Sequence, residues 1–516
     1  MKDVGVGPLA RSRKRQKMTP NALVSRSAEA WWGEDENLIR WGHLHTFPPP
    51  KTFAFMVTLK QARTWRRRIA DGEIVRLQAE VRAGQHAGSY DIVTGVIPGH
   101  DPQVADEQIV LSCHLDHQRP GANDNASGCA TILEIARTLT KLIREGRLEP
   151  PRRTIRFIWP AEIEGTIALL NARPGLAAAT RAVVHMDMVG GHPAITKAVF
   201  HVTRSPKSLP TFVNDVAEAF GRFVNEQSYR FAATGEAAYP LVDAEGGKEA
   251  ALGRMADFSR GSDHEVWTEG SFRVPAIYLN DWPDRYIHTH ADEIANIDAT
   301  KLLRAAFIGG ASAYYLAQLD AEHVPALWRI IKGHALERAA AALARAQSLA
   351  SESSHEAWNV LRFQHDYERG VLASIDAFTP ISQAIRKNGR RFLGQLDRLM
   401  PSFEDARRLD ADQERLGRVI YRRSEEPKGT MSAFGYSYFE DKLYAAGLPR
   451  PTLLEFQGRW GGGSEYAYEV LNLVDGKRSV LEVRDDVSAI YGPVPLETVA
   501  AYLDTLERIG VVRVGN

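Results

Sequence analysis

The chain has 516 residues with 64 basic and 64 acidic side chains, so its formal net charge is zero. That balance offers no bulk attraction to nucleic acid or to an anionic membrane. A hydrophobic fraction of 44% and a charged fraction of 25% are those of an ordinary globular protein, longer than the roughly 100–200 residues of one domain. The basic start, M-K-D-V-G-V-G-P-L-A-R-S-R-K-R-Q-K, lacks the apolar core of a signal peptide. No run approaches the roughly 18 apolar residues that suggest a membrane span. A cytoplasmic protein is expected from the sequence as written, or a secreted one if the true start lies upstream. The two cysteines, Cys113 and Cys129, cannot build a disulfide framework and read as buried free thiols.

Residues 1–20 read as a disordered lead. Segment 21–70 carries Trp31, Trp32, Trp41 and Trp65, too aromatic for a linker, with a turn or extended piece at the prolines 48–50. Alternation over Ile74–Val81 predicts a half-exposed strand, and Tyr90–Ile97 a neighbouring one ending at Pro98-Gly99. An α/β rhythm follows. Short strands are predicted at Ile109–Leu111, Thr154–Trp159, Ala182–Met188 and Pro275–Leu279, and helices over Asn125–Ile143 and Leu209–Val224. The expected fold is α/β, a mostly parallel central sheet with helices on both faces. Such sheets carry their sites beyond the carboxyl ends of the strands, where His114, Glu162 and Asp187 fall.

Beyond the α/β part the chain reads as helical from about 300 to 400, with W-G-G-G-S at 460–464 as a hinge or loop. From about 465 it reads strand or turn, helix, helix, strand, the layout of a small winged-helix-like unit. Its second helix sets Glu497, Asp504 and Glu507 against Arg508 alone, which suits packing or partner docking better than a phosphate backbone. The predicted units are therefore 71–318 as the catalytic domain, 319–460 as a helical region and 465–516 as the small module.

The chemistry concentrates in C-H-L-D-H-Q-R-P-G-A-N-D-N-A-S-G. Histidine nitrogen and carboxylate oxygen are zinc ligands, and a catalytic zinc keeps one position for water. His114 and Asp116 stand two apart at a strand end, which lets Asp116 fix the His114 tautomer from behind. Asp124, flanked by Asn123 and Asn125, suits a turn holding its carboxylate above a helix N-terminus. No G-x-S-x-G, H-E-x-x-H, Walker-type or C-x-x-C pattern competes with it.

Across about residues 70–315 the chain resembles the zinc aminopeptidase family that includes the secreted bacterial leucine-type aminopeptidases, glutamate carboxypeptidase and glutaminyl cyclase. The resemblance rests on H-L-D at 114–116, G-A-N-D-N-A-S-G, P-A-E-I-E-G, H-M-D-M-V-G-G and Y-I-H-T-H-A-D. It implies a zinc-exopeptidase fold and one or two zinc ions. Asp124 would bridge them, with His114 and Asp187 completing one site and His288 serving the other. Glu162 would be the general base towards water, and the substrate a peptide trimmed from its N-terminus. Asp263 and His264, in R-G-S-D-H, would contact substrate or support the site, unless they simply cap a turn. Segment 21–70 resembles the tail of a protease-associated domain.

One departure stands out. The family has two adjacent glutamates, base then ligand, where this chain has Glu162 then Ile163. On an extended segment Glu164 would share a side with Glu162 and still reach the metal. Otherwise the second site is lost and His114, Asp124 and Asp187 hold a single ion. Alternatives to an aminopeptidase are another amide hydrolase or acyl-transferase on the same framework, or a degenerate peptidase that binds or regulates. The oligomeric state is open.

Overall fold

The computed structural model describes residues 35–40, 55–78, 80, 87–89, 91–405, 407–433 and 436–515. The expectations for residues 1–20, for Trp31, Trp32 and Trp41 and for the prolines at 48–50 fall outside the described residues. Trp65 lies in a helix, Leu59–Ala70, capped by Thr58 and Gln61. Ile74 to Gln78 form no strand, contrary to expectation, and Ile74 and Leu77 are exposed. Alternation makes a segment two-faced, but a strand also needs a partner for its backbone, and these residues have none in the sheet.

Seven strands form one sheet: β1 (Val93–Ile97), β2 (Gln108–Ser112), β3 (Thr154–Trp159), β4 (Thr180–Asp187), β5 (Phe200–Thr203), β6 (Arg254–Ala256) and β7 (Ala276–Asp281), in the order β1-β3-β2-β4-β7-β5-β6. Pairings β2–β3, β2–β4, β4–β7 and β5–β6 are parallel, whereas β1–β3 and β5–β7 are antiparallel. The side-chain period of two sorts the core. Ile109, Leu111, Val184, Met186, Ile277 and Leu279 face helices Gly128–Arg144 and Ala299–Gln318. Val110, Ile158, Val183 and Ala276 face the other way, onto Leu170, Val266 and Trp267. At the centre of the sheet both faces are covered, which is why β2, β4 and β7 read as nearly continuous apolar runs. The expected α/β fold is the observed one.

The cysteines correct the sequence reading, since Cys113 and Cys129 are joined as a disulfide with their Cα atoms 5.4 Å apart. The chain leaves β2, loops, and enters the helix Gly128–Arg144 directly alongside, so sixteen residues of separation collapse to one bond. Composition could not reveal that proximity. No helix among the described residues is long and apolar enough to cross a membrane.

Two long helices, Val324–Ala350 and Ser354–Ser374, pack on each other, and the first packs on helix Val213–Thr234. The apolar core runs without a break from β2 through these helices to Leu506 and Val512 near the C-terminus. At 460–464 the hinge reading gives way partly, because Gly463 opens a helix, Gly463–Asn472. A Cβ on Gly463 would lie 2.4 Å from the Leu453 carbonyl oxygen, so close packing requires that glycine. The order strand, helix, helix, strand recurs in Asp475–Ser479, Val480–Tyr491, Leu496–Arg508 and Val512–Val514. The two strands flank Ile420–Arg423, which comes from outside 465–516.

This C-terminal part is tied to the sheet domain by buried polar contacts. The Tyr468 hydroxyl donates to the Glu265 carbonyl at 2.7 Å, and Gly270 N–H donates to Asn472 Oδ1 at 2.8 Å. Glu469 is fully buried and accepts from Ser208 N–H at 3.3 Å, while its other oxygen has no partner among the described residues. Burial pushes its carboxyl up to about 7, against the opposing pull of Ser208 and Lys207. A raised carboxyl holds in the fold a proton that the unfolded chain releases near pH 4.5, so stability falls as pH rises from about 4.5 to about 7. At about 1.4 kcal/mol per pKa unit the loss is on the order of 3 kcal/mol. Glu469→Gln is therefore expected to raise the melting temperature at pH 8 and leave it nearly unchanged at pH 4. Equal effects at both pH values would contradict a buried, neutral carboxyl.

Candidate metal centre

The site forms where the carboxyl ends of β2, β3 and β4 meet two loops. His114, two residues past β2, is buried, and its Nδ1 lies 2.9 Å from the main-chain carbonyl of Asp116. That carbonyl, rather than the Asp116 carboxylate 3.8 Å away, sets the tautomer and leaves Nε2 facing the site. Asp116 instead uses its carboxylate to accept from the Glu162 N–H at 2.7 Å.

Asp124 sits on the turn Ala122–Ser127 that precedes the helix Gly128–Arg144. Its geometry is over-determined by neighbours. Both Asp292 oxygens accept main-chain N–H groups, one from Asn123 and one from Asp124, each at 2.9 Å. Asn125 donates to the Met186 carbonyl and accepts from Gly128 and Met188. A Cβ on Gly128 would lie 2.3 Å from the Met186 carbonyl oxygen, so only glycine lets the helix start this close to β4. The string N-D-N-A-S-G is thus a seat for one carboxylate.

Around Asp124 the ligand-type atoms fall into two groups. In the first, His114 Nε2 lies 3.2 Å from Asp124 Oδ1 and 3.3 Å from Asp187 Oδ1. In the second, His117 Nε2 and His288 Nε2 lie 3.3 and 3.2 Å from Asp124 Oδ2. Asp124 is shared by both. His114 Nε2 and Asp187 Oδ1 are buried with no partner in hydrogen-bonding geometry among the described residues, although they face each other. Buried polar atoms are costly in that state, and a cation seated between them would satisfy both. The donor set of imidazoles and carboxylates is the one zinc takes. The residues present therefore fit a zinc site.

Charge agrees with this arrangement. Burial raises the Asp124 carboxyl, yet His114, His117 and His288 outweigh it and hold the group well below the usual carboxylate range. Burial lowers His114, yet Glu162, Asp187 and Asp124 hold its imidazole well above the histidine range. Protons here occupy the place that positive charge from a metal would take.

Glu162 stands beside the first group, its Oε1 3.9 Å from His114 Nε2. Burial, aided by Asp187 and Asp124, pushes its carboxyl well above the usual range against His114. The segment after it is not extended, which removes the premise for Glu164 as a ligand. Ile163 has φ +57°, and Glu164 opens the helix Glu164–Ala172. The Ile163 side chain is buried in the apolar cluster with Val110, Ile158 and Leu170. A β-branched residue at positive φ costs on the order of 1–3 kcal/mol. It is held by Asp263, whose Oδ1 accepts from the Ile163 N–H at 2.8 Å and from Thr166 Oγ1 at 2.5 Å. Glu164 belongs to neither ligand group.

Asp263 therefore supports the Glu162 loop from behind, and burial pushes its carboxyl up to about 7. His264 is also fully buried. Its Nε2 lies 2.7 Å from the Ser259 carbonyl, and its ring stacks on Tyr278 at 4.1 Å. Tyr278 in turn places its hydroxyl 3.5 Å from Asp187 Oδ2.

Two residues were missed in the sequence. His117 stands three places after His114 in H-L-D-H, a spacing that carries no signal once the loop is known to be irregular. Asp292 was visible as the last residue of Y-I-H-T-H-A-D, but only the fold shows that it holds the Asp124 turn.

Residues 93–311 match the sequence model of peptidase family M28. That stretch, somewhat under half of the chain, is what the family likeness covers. The chain is 26% identical over 258 residues to leucine aminopeptidase 1 of Pyrenophora tritici-repentis, covering 47% of this chain and 59% of that protein. It thus spans less than two thirds of that relative. Distant likenesses among solved structures include a peptidase M28 precursor from Shewanella amazonensis, at 15% identity and TM-score 0.38, covering 55% of this chain and 58% of that one. An aminopeptidase from Aneurinibacillus sp. strain AM-1 aligns at 23% identity and TM-score 0.32, over 44% and 47% of the two chains. The matched stretch contains every residue of both ligand groups, together with Glu162, Asp263 and Asp292.

Proposed function

We propose that the chain is a zinc-dependent aminopeptidase that removes N-terminal residues from peptides, with Glu162 as general base. The observation that carries this reading is a buried, shared carboxylate, Asp124, ringed by imidazoles, with a second, partly buried carboxyl of raised basicity beside it. The M28 match and the similarity to a leucine aminopeptidase support the choice of peptide substrate.

In this reading His114, Asp124 and Asp187 hold a zinc ion, with His288 serving a second position and Asp124 shared. A bound zinc supplies Lewis acidity towards water and towards the scissile carbonyl. Glu162 takes the proton from the attacking water and returns it to the departing amine, a role that needs a carboxylate of higher than ordinary basicity. Asp116 and Asp263 position Glu162 through main-chain N–H groups on either side of its Cα. The Cys113–Cys129 bond closes the loop bearing His114, Asp116 and Asp124, and such a bond favours an oxidising compartment over the cytoplasm.

Dialysis against a chelator is expected to abolish hydrolysis of an aminoacyl chromogenic substrate, and added zinc to restore it. Chelator-resistant hydrolysis would sink the reading. Zinc binding without trimming of any peptide in a library would point instead to another amide substrate.

A further inference from the structure

His117 is a histidine that neither the sequence pattern nor the resemblance gives a role. We propose that His117 is a metal ligand and that it replaces the carboxylate missing at Ile163, so that a second metal position is kept in altered form. This rests on the zinc reading above and adds to it the composition of the second position: His117, His288 and the shared Asp124.

Three observations carry the inference. First, the position that would supply a carboxylate is apolar: Ile163 is buried and turned by its positive φ into the cluster of Val110, Ile158 and Leu170. Second, the neighbouring Glu164 starts a helix and is in neither ligand group. Third, His117 Nε2 approaches the same oxygen of Asp124 that His288 Nε2 approaches, at 3.3 and 3.2 Å. The His117 Nδ1 lies 2.5 Å from the Arg119 carbonyl. A carbonyl can only accept, so Nδ1 carries a proton and Nε2 is the nitrogen turned towards Asp124, open to a metal once its own proton leaves. Metal-ligating histidines are oriented in this way, through the ring nitrogen that does not bind. His114 uses the same device with the Asp116 carbonyl, so one loop presents two imidazoles of fixed tautomer to opposite oxygens of one carboxylate.

The substitution has a chemical consequence. The first position takes one imidazole and two carboxylates, whereas the second takes two imidazoles and only the shared carboxylate. Imidazole suits zinc, cobalt, nickel and copper, while oxygen-rich sites suit magnesium and manganese. The second position should therefore select the former group more strongly than an Asp–Glu–His site would.

The test uses the full chain, stripped of metal and reloaded with Co2+, read by metal content after desalting and by the visible d–d absorption of the bound ion. Wild type is expected to retain two equivalents. His117→Ala and, independently, His288→Ala should each retain one and lose the same part of the spectrum, with melting temperatures reported alongside. Glu164→Gln should retain two with an unchanged spectrum. Two equivalents in His117→Ala, or one in Glu164→Gln, would overturn the assignment. Wild type holding a single equivalent would overturn the second position while leaving the zinc reading intact. Wild type holding none would defeat both.

Discussion

Glu162→Gln is expected to lower turnover of an aminoacyl substrate by about 10²–10⁴-fold while leaving the fold and bound metal unchanged, the usual contribution of a positioned general base. The amide matches the carboxylate in shape but cannot accept a proton at neutral pH. Nothing that positions the residue is touched, because Asp116 and Asp263 act on the main-chain N–H groups of Glu162 and Ile163. The effect should therefore appear in kcat rather than KM. The control is Glu164→Gln, two residues away and in neither ligand group, for which activity close to wild type is expected. Wild-type turnover in Glu162→Gln would remove the base from the mechanism. Equal losses in the two variants would show that the charge of the loop, not Glu162 itself, matters.

The largest expected loss of stability lies away from the site. Asp215 is fully buried on helix Val213–Thr234 and accepts from Arg338 Nη1 at 2.7 Å, and its Oδ1 lies 3.0 Å from His334 Nδ1. Arg338 also donates to both oxygens of Glu368, at 2.7 and 2.8 Å, so three helices meet in one network of buried charge. Breaking a buried pair by removing one partner leaves an uncompensated charge and costs about 3–5 kcal/mol. Asp215→Ala should show that loss in the urea midpoint. Asp366→Ala, which breaks exposed pairs with Arg362 and Arg369, should cost no more than about 1 kcal/mol. Similar small losses in both would mean that helices Val324–Ala350 and Ser354–Ser374 do not depend on the sheet domain through this contact.

Local periodicity was enough for most of the α/β part. The strands β2, β4 and β7 lie where apolar runs predicted them, because central strands buried on both faces need apolar residues at most positions. Next to the edge, β3 alternates Ile155 and Phe157 with half-buried Thr154 and Arg156. Ile74–Gln78 shows the limit of that logic, since alternation says nothing about whether a neighbouring strand edge exists. The C-terminal sheet shows it again: its central strand, Ile420–Arg423, is distant in sequence from the two it joins.

For the site, the residue types in H-L-D and G-A-N-D-N-A-S-G named His114 and Asp124 as candidates, because imidazole and carboxylate are zinc donors, and the family resemblance added His288 in Y-I-H-T-H-A-D. The resemblance also marked Ile163 as standing where the family has a second glutamate. What filled the gap was decided only in three dimensions. A loop of irregular backbone has no period, so nothing local says that His117 turns towards Asp124 while Glu164 enters a helix. The same folding-back joins Cys113 to Cys129. The sequence by itself determined which atoms were available to the site. The tertiary structure decided which of them meet, because distance through space is set by the packing of the helix Gly128–Arg144 on β4 and not by spacing along the chain.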